Sequence, residues 1–115
     1  MDLIDRQIEA YNKQDIEEFI DCYSDNIEVY MLESNKKLTD GKEQLKKVMK
    51  ASFVSKPKAK TLVESRLTQN NLVIDVEAVS GHEDGKLIRS IAIYEITDDK
   101  ISKLWFGGRT VEDVT

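Results

Sequence analysis

The sequence predicts an α+β fold, with three N-terminal helices followed by most of a curved, mostly antiparallel sheet, in one domain spanning residues 1–115. Two observations carry this. Apolar residues recur at helical spacing as far as Phe53, and beyond Pro57 the period shortens to two, with short turn signals between β-rich runs.

The first helix is read over residues 3–12, where Ile4, Ile8 and Tyr11 fall at i, i+4 and i+7, with Leu3, Gln7 and Ala10 on the adjoining stripe. Asp15 is placed to cap a second helix, "IEEFIDCY", whose Glu17 and Glu18 suit the positive end of the helix dipole. Its buried stripe is Ile16, Phe19, Ile20 and Tyr23, and the short polar link "NKQ" favours a helical hairpin. "SDN" breaks the helical pattern. "NIEVYML" at 26–32 then alternates as a strand, with Ile27, Val29 and Met31 on one face. "LTDGKEQLKKVMKASF" reads as a third helix, with Asp40 as N-cap, Glu43 at capping-box spacing, and Leu45, Val48, Met49 and Phe53 on one face.

Four further runs, "KTLVESRLTQ", "NLVIDVEAVSG", "KLIRSIAIYEIT" and "KISKLWFGGRT", are separated by Asn70-Asn71, "HEDG" and Asp98-Asp99, the pattern of an antiparallel meander. In 72–80 the wholly apolar set Leu72, Ile74, Val76 and Ala78 is expected to face inward, leaving Val73, Asp75, Glu77 and Val79 outside. The two later strands are partly apolar on both faces. Leaving Ile91, Ile93 and Trp105 bare would forgo several kcal/mol at roughly 25 cal/mol per Å². A homodimer through this outer face is therefore expected.

Composition excludes several classes. The 17 basic and 22 acidic residues give a net charge of −5, which repels a phosphate backbone, so no nucleic acid partner is expected. No apolar run approaches the roughly 20 residues of a membrane span, so no membrane partner is expected either. No basic-then-apolar leader precedes the first helical pattern, and the single Cys22 reads as a small buried hydrophobe; cytoplasmic location is the expectation. One histidine, His82, sits in the turn "GHEDG", and the acids form no ligand-like cluster, so no metal site is predicted. The scattered glycines make no nucleotide cradle.

The stretches "IDRQIEAYNKQDIEEFIDCYSDNIEVYML", "LTDGKEQLKKVM" and "IRSIAIYEITDDKISKLWF" resemble the NTF2-like superfamily, in its SnoaL-like and ketosteroid-isomerase-like branch. The resemblance covers nearly the whole chain. It implies a cone-shaped, cystatin-like α+β barrel, a sheet wrapped on three helices with an apolar pocket between them, often paired through the outer sheet face. It also implies cofactor-free chemistry, so no cofactor is expected. Steroid isomerases of this branch use a carboxylate base with a tyrosine and a protonated aspartic acid. Segment by segment, those roles fall on Met31, Gln7 and Ala92, none of which can perform them. The expected pocket walls are Val29, Met31, Phe53, Val76, Ala78, Ala92, Tyr94 and Phe106, and the candidates for polar work are Tyr11, Gln7 and Ser90, with Arg89 or Arg109 near strand ends. The leading expectation is a protein that binds a small apolar molecule, with isomerase, cyclase or hydratase chemistry open. The alternative is a non-catalytic dimerisation or interaction module with a filled barrel.

Overall fold

The computed structural model describes residues 2–114. Its elements run α1 (Leu3–Lys13), α2 (Ile16–Asp21), β1 (Tyr23–Met31), β2 (Lys37–Asp40), α3 (Lys42–Ser55), β3 (Lys60–Gln69), β4 (Leu72–Ser80), β5 (Lys86–Thr97) and β6 (Lys100–Asp113). The strands form one sheet in the order β2-β1-β6-β5-β4-β3, open at both edges. Every neighbouring pair is antiparallel except β1 with β6. Register shifts interrupt the β1/β2, β1/β6, β3/β4 and β5/β6 ladders, and such irregularities bend a sheet, here around the helices.

The helix ends follow simple chemistry. The Asp2 carboxylate accepts from Asp5 N at 2.8 Å and caps α1, while Gln14 closes its other end in the left-handed region at φ 56°. Asp15 caps α2 by accepting from Glu18 N at 3.1 Å, as its position predicts. The side chain of Asn12 then clamps α1 to edge strand β3, donating to Thr61 O at 2.9 Å and accepting from Thr61 N at 2.7 Å. Ile4, Ala10, Phe19, Ile20, Ile27, Leu45, Phe53, Ile101 and Leu104 belong to one continuous buried core between the helices and the concave sheet face.

Three local readings change. "SDN" is not a break, because Tyr23 already pairs with Ile101 across the parallel ladder and Ile101 N donates to Cys22 O at 2.9 Å. Tyr23 therefore opens β1 rather than closing α2. Asp40 is not the cap of α3 but the last residue of β2, a short edge strand that alternation could not reveal in four residues. Gly41 occupies the N-cap, and Gln44 reaches back to accept from Asp40 N at 2.6 Å in place of the expected capping box.

The third change concerns β4, and it decides where the site lies. Val73, Asp75, Glu77 and Val79 face the helices, whereas Leu72, Ile74, Val76 and Ala78 form part of the convex face. Asp75 is fully buried, and the fork of Arg66 meets both its oxygens, Nε to Oδ1 at 2.7 Å and Nη2 to Oδ2 at 2.9 Å. A third Arg66 nitrogen reaches Asp5 on α1 at 2.7 Å. The inward acid is thus neutralised by a planar bidentate partner that also ties the sheet to α1.

Replacing Arg66 with Leu should leave Asp75 buried and unpaired, at a cost of roughly 3–5 kcal/mol in urea unfolding. Arg66→Lys should recover only part of this, because an ammonium cannot match the fork. A loss under about 1 kcal/mol for Arg66→Leu would contradict this account.

Candidate functional site

Between α1, α3 and the concave sheet face lies a cavity of about 380 Å³. Its walls include Ile8, Phe19, Val29, Leu45, Met49, Leu104 and Phe106, with Thr39, Thr61 and Ser90 as small hydroxyl residues. Among the described residues, only one formally charged side chain lines it. That residue is Glu77, which is 6% exposed.

A chain of hydrogen bonds ends on Glu77. The Tyr23 hydroxyl donates to Gln7 Oε1 at 2.9 Å, Gln7 Nε2 donates to the Tyr94 hydroxyl at 3.2 Å, and Tyr94 donates to Glu77 Oε2 at 2.6 Å. Each group spends its donor in the same direction, so the carboxylate is the terminal acceptor of the series. Among the described residues, Glu77 Oε1 takes no protein hydrogen bond. Ser90 sits directly across the β4/β5 ladder from Glu77, and its hydroxyl and that of Tyr11 both border the cavity.

Burial pushes the Glu77 carboxyl up to about 7, against a smaller opposing pull from the Tyr94 hydroxyl and a further upward push from the Asp75 charge. Burial also holds the Tyr94 and Tyr23 phenols well above their ordinary value, so both stay protonated as donors. Tyr11 is raised too, by burial first and then by Glu77. The arrangement provides a carboxyl poised near neutrality, with one free oxygen turned towards an apolar space. Such a group can accept or deliver a proton at ordinary pH.

A second chamber of about 560 Å³ adjoins the first and shares Tyr11, Val79, Ser90 and Phe106 with it. Met31, Glu33, Ile88, His82, Gly107 and Arg109 complete its lining. His82, in the turn after β4, is half-buried and held below its ordinary value by burial, then by Lys56 and Arg109.

The residues expected at the site separate as follows. Val29, Tyr94 and Phe106 line the inner cavity together with the three polar candidates Tyr11, Gln7 and Ser90. Met31 lies in the outer chamber, 38% exposed near the end of β1. Phe53 is buried behind the wall, edge-on to Tyr11 and Phe19 with ring centroids 5.6 and 5.9 Å away. Ala92 is wholly buried opposite Asp75, and Val76 and Ala78 lie on the convex face because β4 presents its other side inward. Arg89 is also turned outward, paired with Glu64 and Glu112. Glu77 escapes a reading of the sequence alone because the alternate face of β4 is wholly apolar and reads as the inner one. The available signal was the two-residue turn Asn70-Asn71: pairing Gln69 with Leu72 forces Arg66 opposite Asp75, marking that face as the one holding a compensated acid.

Cys22 is buried at the end of α2 and its thiol is raised by burial, the condition of an inert core cysteine. Among the described residues no group of three potential metal ligands comes together, and no helix is long and apolar enough to cross a membrane.

The SnoaL-like domain family matches residues 4–104, and the chain belongs to that family. Solved structures agree on the NTF2-like, cystatin-like fold. A cystatin-fold protein from Novosphingobium aromaticivorans superposes with a TM-score of 0.82 at 22% identity, covering 92% of this chain and 97% of the other. An NTF2-like protein of unknown function from Cytophaga hutchinsonii gives 0.74 at 17% identity, covering 96% and 87%. A protein with a ketosteroid isomerase-like fold from Catenulispora acidiphila gives 0.75 at 8% identity, covering 90% and 82%. No curated protein matches the chain.

The raised Glu77 has a thermodynamic signature. Its folded value of about 7 lies above the ordinary 4.5, so the folded state holds the proton more tightly and Glu77 favours folding less as pH rises through this window. Glu77→Gln should therefore gain stability relative to the parent by roughly 3 kcal/mol between about pH 4 and about pH 8. Chemical denaturation across that range checks it, and a difference independent of pH would refute the assignment.

Proposed function

We propose that the protein binds a compact, largely apolar molecule in the inner cavity and moves a proton on it without a cofactor. Isomerisation, cyclisation and hydration are the reaction types this chemistry includes. Glu77 is the proton acceptor and donor, through Oε1. Tyr11 and Ser90 supply hydroxyl hydrogen bonds to an oxygen of the molecule, and Gln7 positions Tyr94, which holds the other Glu77 oxygen. The observation that carries this reading is one buried acid, raised towards neutrality, on the wall of a largely apolar cavity. Met31, at the segment where related isomerases carry their base, plays no part in proton transfer.

Native mass spectrometry of freshly purified protein should show a retained small molecule. Val48→Trp should lose it, since Val48 lines the cavity yet is 49% exposed, so the fold tolerates the larger ring. With that molecule in deuterium oxide, the parent should exchange carbon-bound hydrogen and Glu77→Gln should do so about 10²- to 10⁴-fold more slowly. Retention unaffected by Val48→Trp would argue against the cavity as the binding place. Exchange unaffected by Glu77→Gln would remove the acid from the mechanism.

The convex face supports a homodimer. Leu62 and Leu67 are 67% and 64% exposed there, in register with Ala78 and Ile74, and Ile74 continues through Ile93 to Trp105, which stacks on Tyr30 at 6.1 Å. Val76 and Ile91 form a parallel row. These apolar rows lie beside the Arg89, Glu64 and Glu112 ion pairs, and their burial against the same face of a second copy is the pairing proposed. Sedimentation should give a dimer at micromolar concentration that Leu62→Glu with Leu67→Glu converts to monomer, and a monomeric parent would rule the dimer out.

A further inference from the structure

The outer chamber contains a feature that strand alternation alone would not produce. On β6, Phe106 faces the cavity, so strict alternation would turn Arg109 to the convex side, as it does Arg89 on the neighbouring strand. The β5/β6 ladder slips between Arg89 and Ile91: Ile91 pairs with Gly107 and Arg89 with Thr110, leaving two β6 residues opposite Ser90 alone. Gly108 sits in this bulge at φ 63°, a conformation that suits glycine. The extra residue reverses the alternation and brings Arg109 to the concave side, where it lines the outer chamber.

The bulge is held from below. Glu33 Oε2 accepts from Gly108 N at 2.7 Å, and this hydrogen bond keeps the Glu33 carboxylate below its ordinary value. Gly107 permits the approach, because a Cβ there would lie 2.7 Å from Leu32 Cβ and 2.9 Å from Glu33 Oε1. Arg109, by contrast, makes no ion pair among the described residues, unlike Arg6, Arg66 and Arg89. Glu33 shares the chamber wall with its carboxylate engaged by the bulge amide, and His82, with Lys56 and Glu83 near it, lines the same chamber. The inner cavity has the opposite character, with one acid and no lysine, arginine or histidine on its walls.

We infer that Arg109 is an anion-binding group and that the molecule taken up is an amphipathic anion. Its apolar body lies in the inner cavity towards Glu77, and its carboxylate, or an anion of similar charge, meets the Arg109 guanidinium in the outer chamber. This rests on the cavity-binding reading above and adds the ligand's charge and its orientation. The two chambers adjoin at the shared residues Tyr11, Val79, Ser90 and Phe106, and the inferred molecule spans that boundary. The reverse orientation would place the anion among walls that, among the described residues, carry no lysine, arginine or histidine.

Hexanoate and hexanamide, alike in shape and different in charge, test this by titration calorimetry at about pH 6. The parent should bind hexanoate about tenfold more tightly, the size of one charge-assisted hydrogen bond. Arg109→Gln should bring the two probes level while leaving hexanamide unchanged, Arg109→Lys should keep part of the preference, and Arg89→Gln, altered on the convex face, should keep all of it. Equal binding of both probes by the parent, or a preference that survives Arg109→Gln, overturns the inference and leaves the cavity-binding reading standing. Binding of neither probe overturns both.

Discussion

The concave face of β4 buries two carboxylates two residues apart, and the structure depends on their being treated in opposite ways. Asp75 meets the Arg66 fork and becomes part of the scaffold, fixing β3 to β4 and both to α1. Glu77 has no cation within ion-pair distance among the described residues; it has a phenol on one oxygen and open space on the other. A bidentate guanidinium balances the charge of a buried acid, while Glu77, held by a neutral hydroxyl, is pushed up towards neutrality by its burial. The short separation also couples them, since the Asp75 charge adds to the upward push on Glu77.

The hydrogen-bond series from Tyr23 through Gln7 to Tyr94 gives Glu77 a defined geometry without giving it a counter-charge. An amide at position 7 suits this task because it accepts on one side and donates on the other, whereas a phenol there would have only one proton to place. The same position that fails as a steroid-isomerase tyrosine is thus well suited to orienting a different phenol. The helices supply Gln7 and the sheet supplies Tyr23, Tyr94 and Glu77, so this hydrogen-bond series crosses the boundary between the two layers.

Much of the fold was legible because its signals are local. The Asp15 cap, the turns at Asn70-Asn71 and Asp98-Asp99, and the change of period after Pro57 each act within a few residues, and the SnoaL-like resemblance was readable from the same segments. Gln7, Tyr11, Ser90, Val29, Tyr94 and Phe106 were also legible as cavity-lining residues, since each lies on a face that helical or strand spacing turns inward. Glu77 was not, because the rule that the apolar face is the inner one fails when a sheet is apolar on its convex side as well. Arg109 was only one of two candidates, because its side of the sheet depends on a bulge that alternation cannot anticipate. β2 was lost to its brevity, and with it the role of Gly41.

The one parallel ladder, β1 beside β6, has a consequence for the order in which the molecule can assemble. Residues 23–31 must wait for residues 101–106, more than seventy positions further along the chain, before the β1/β6 pairing that joins the β1/β2 edge to the meander exists. The four-strand meander needs only tight turns and can organise early, whereas the helices gain their full sheet surface only when β1 docks. The cavity is bounded by both halves, by α1, α3 and β1 from one and by β4, β5 and β6 from the other. Its closure therefore coincides with the slowest contact in the topology, and during synthesis the segments made first are the last to find their places.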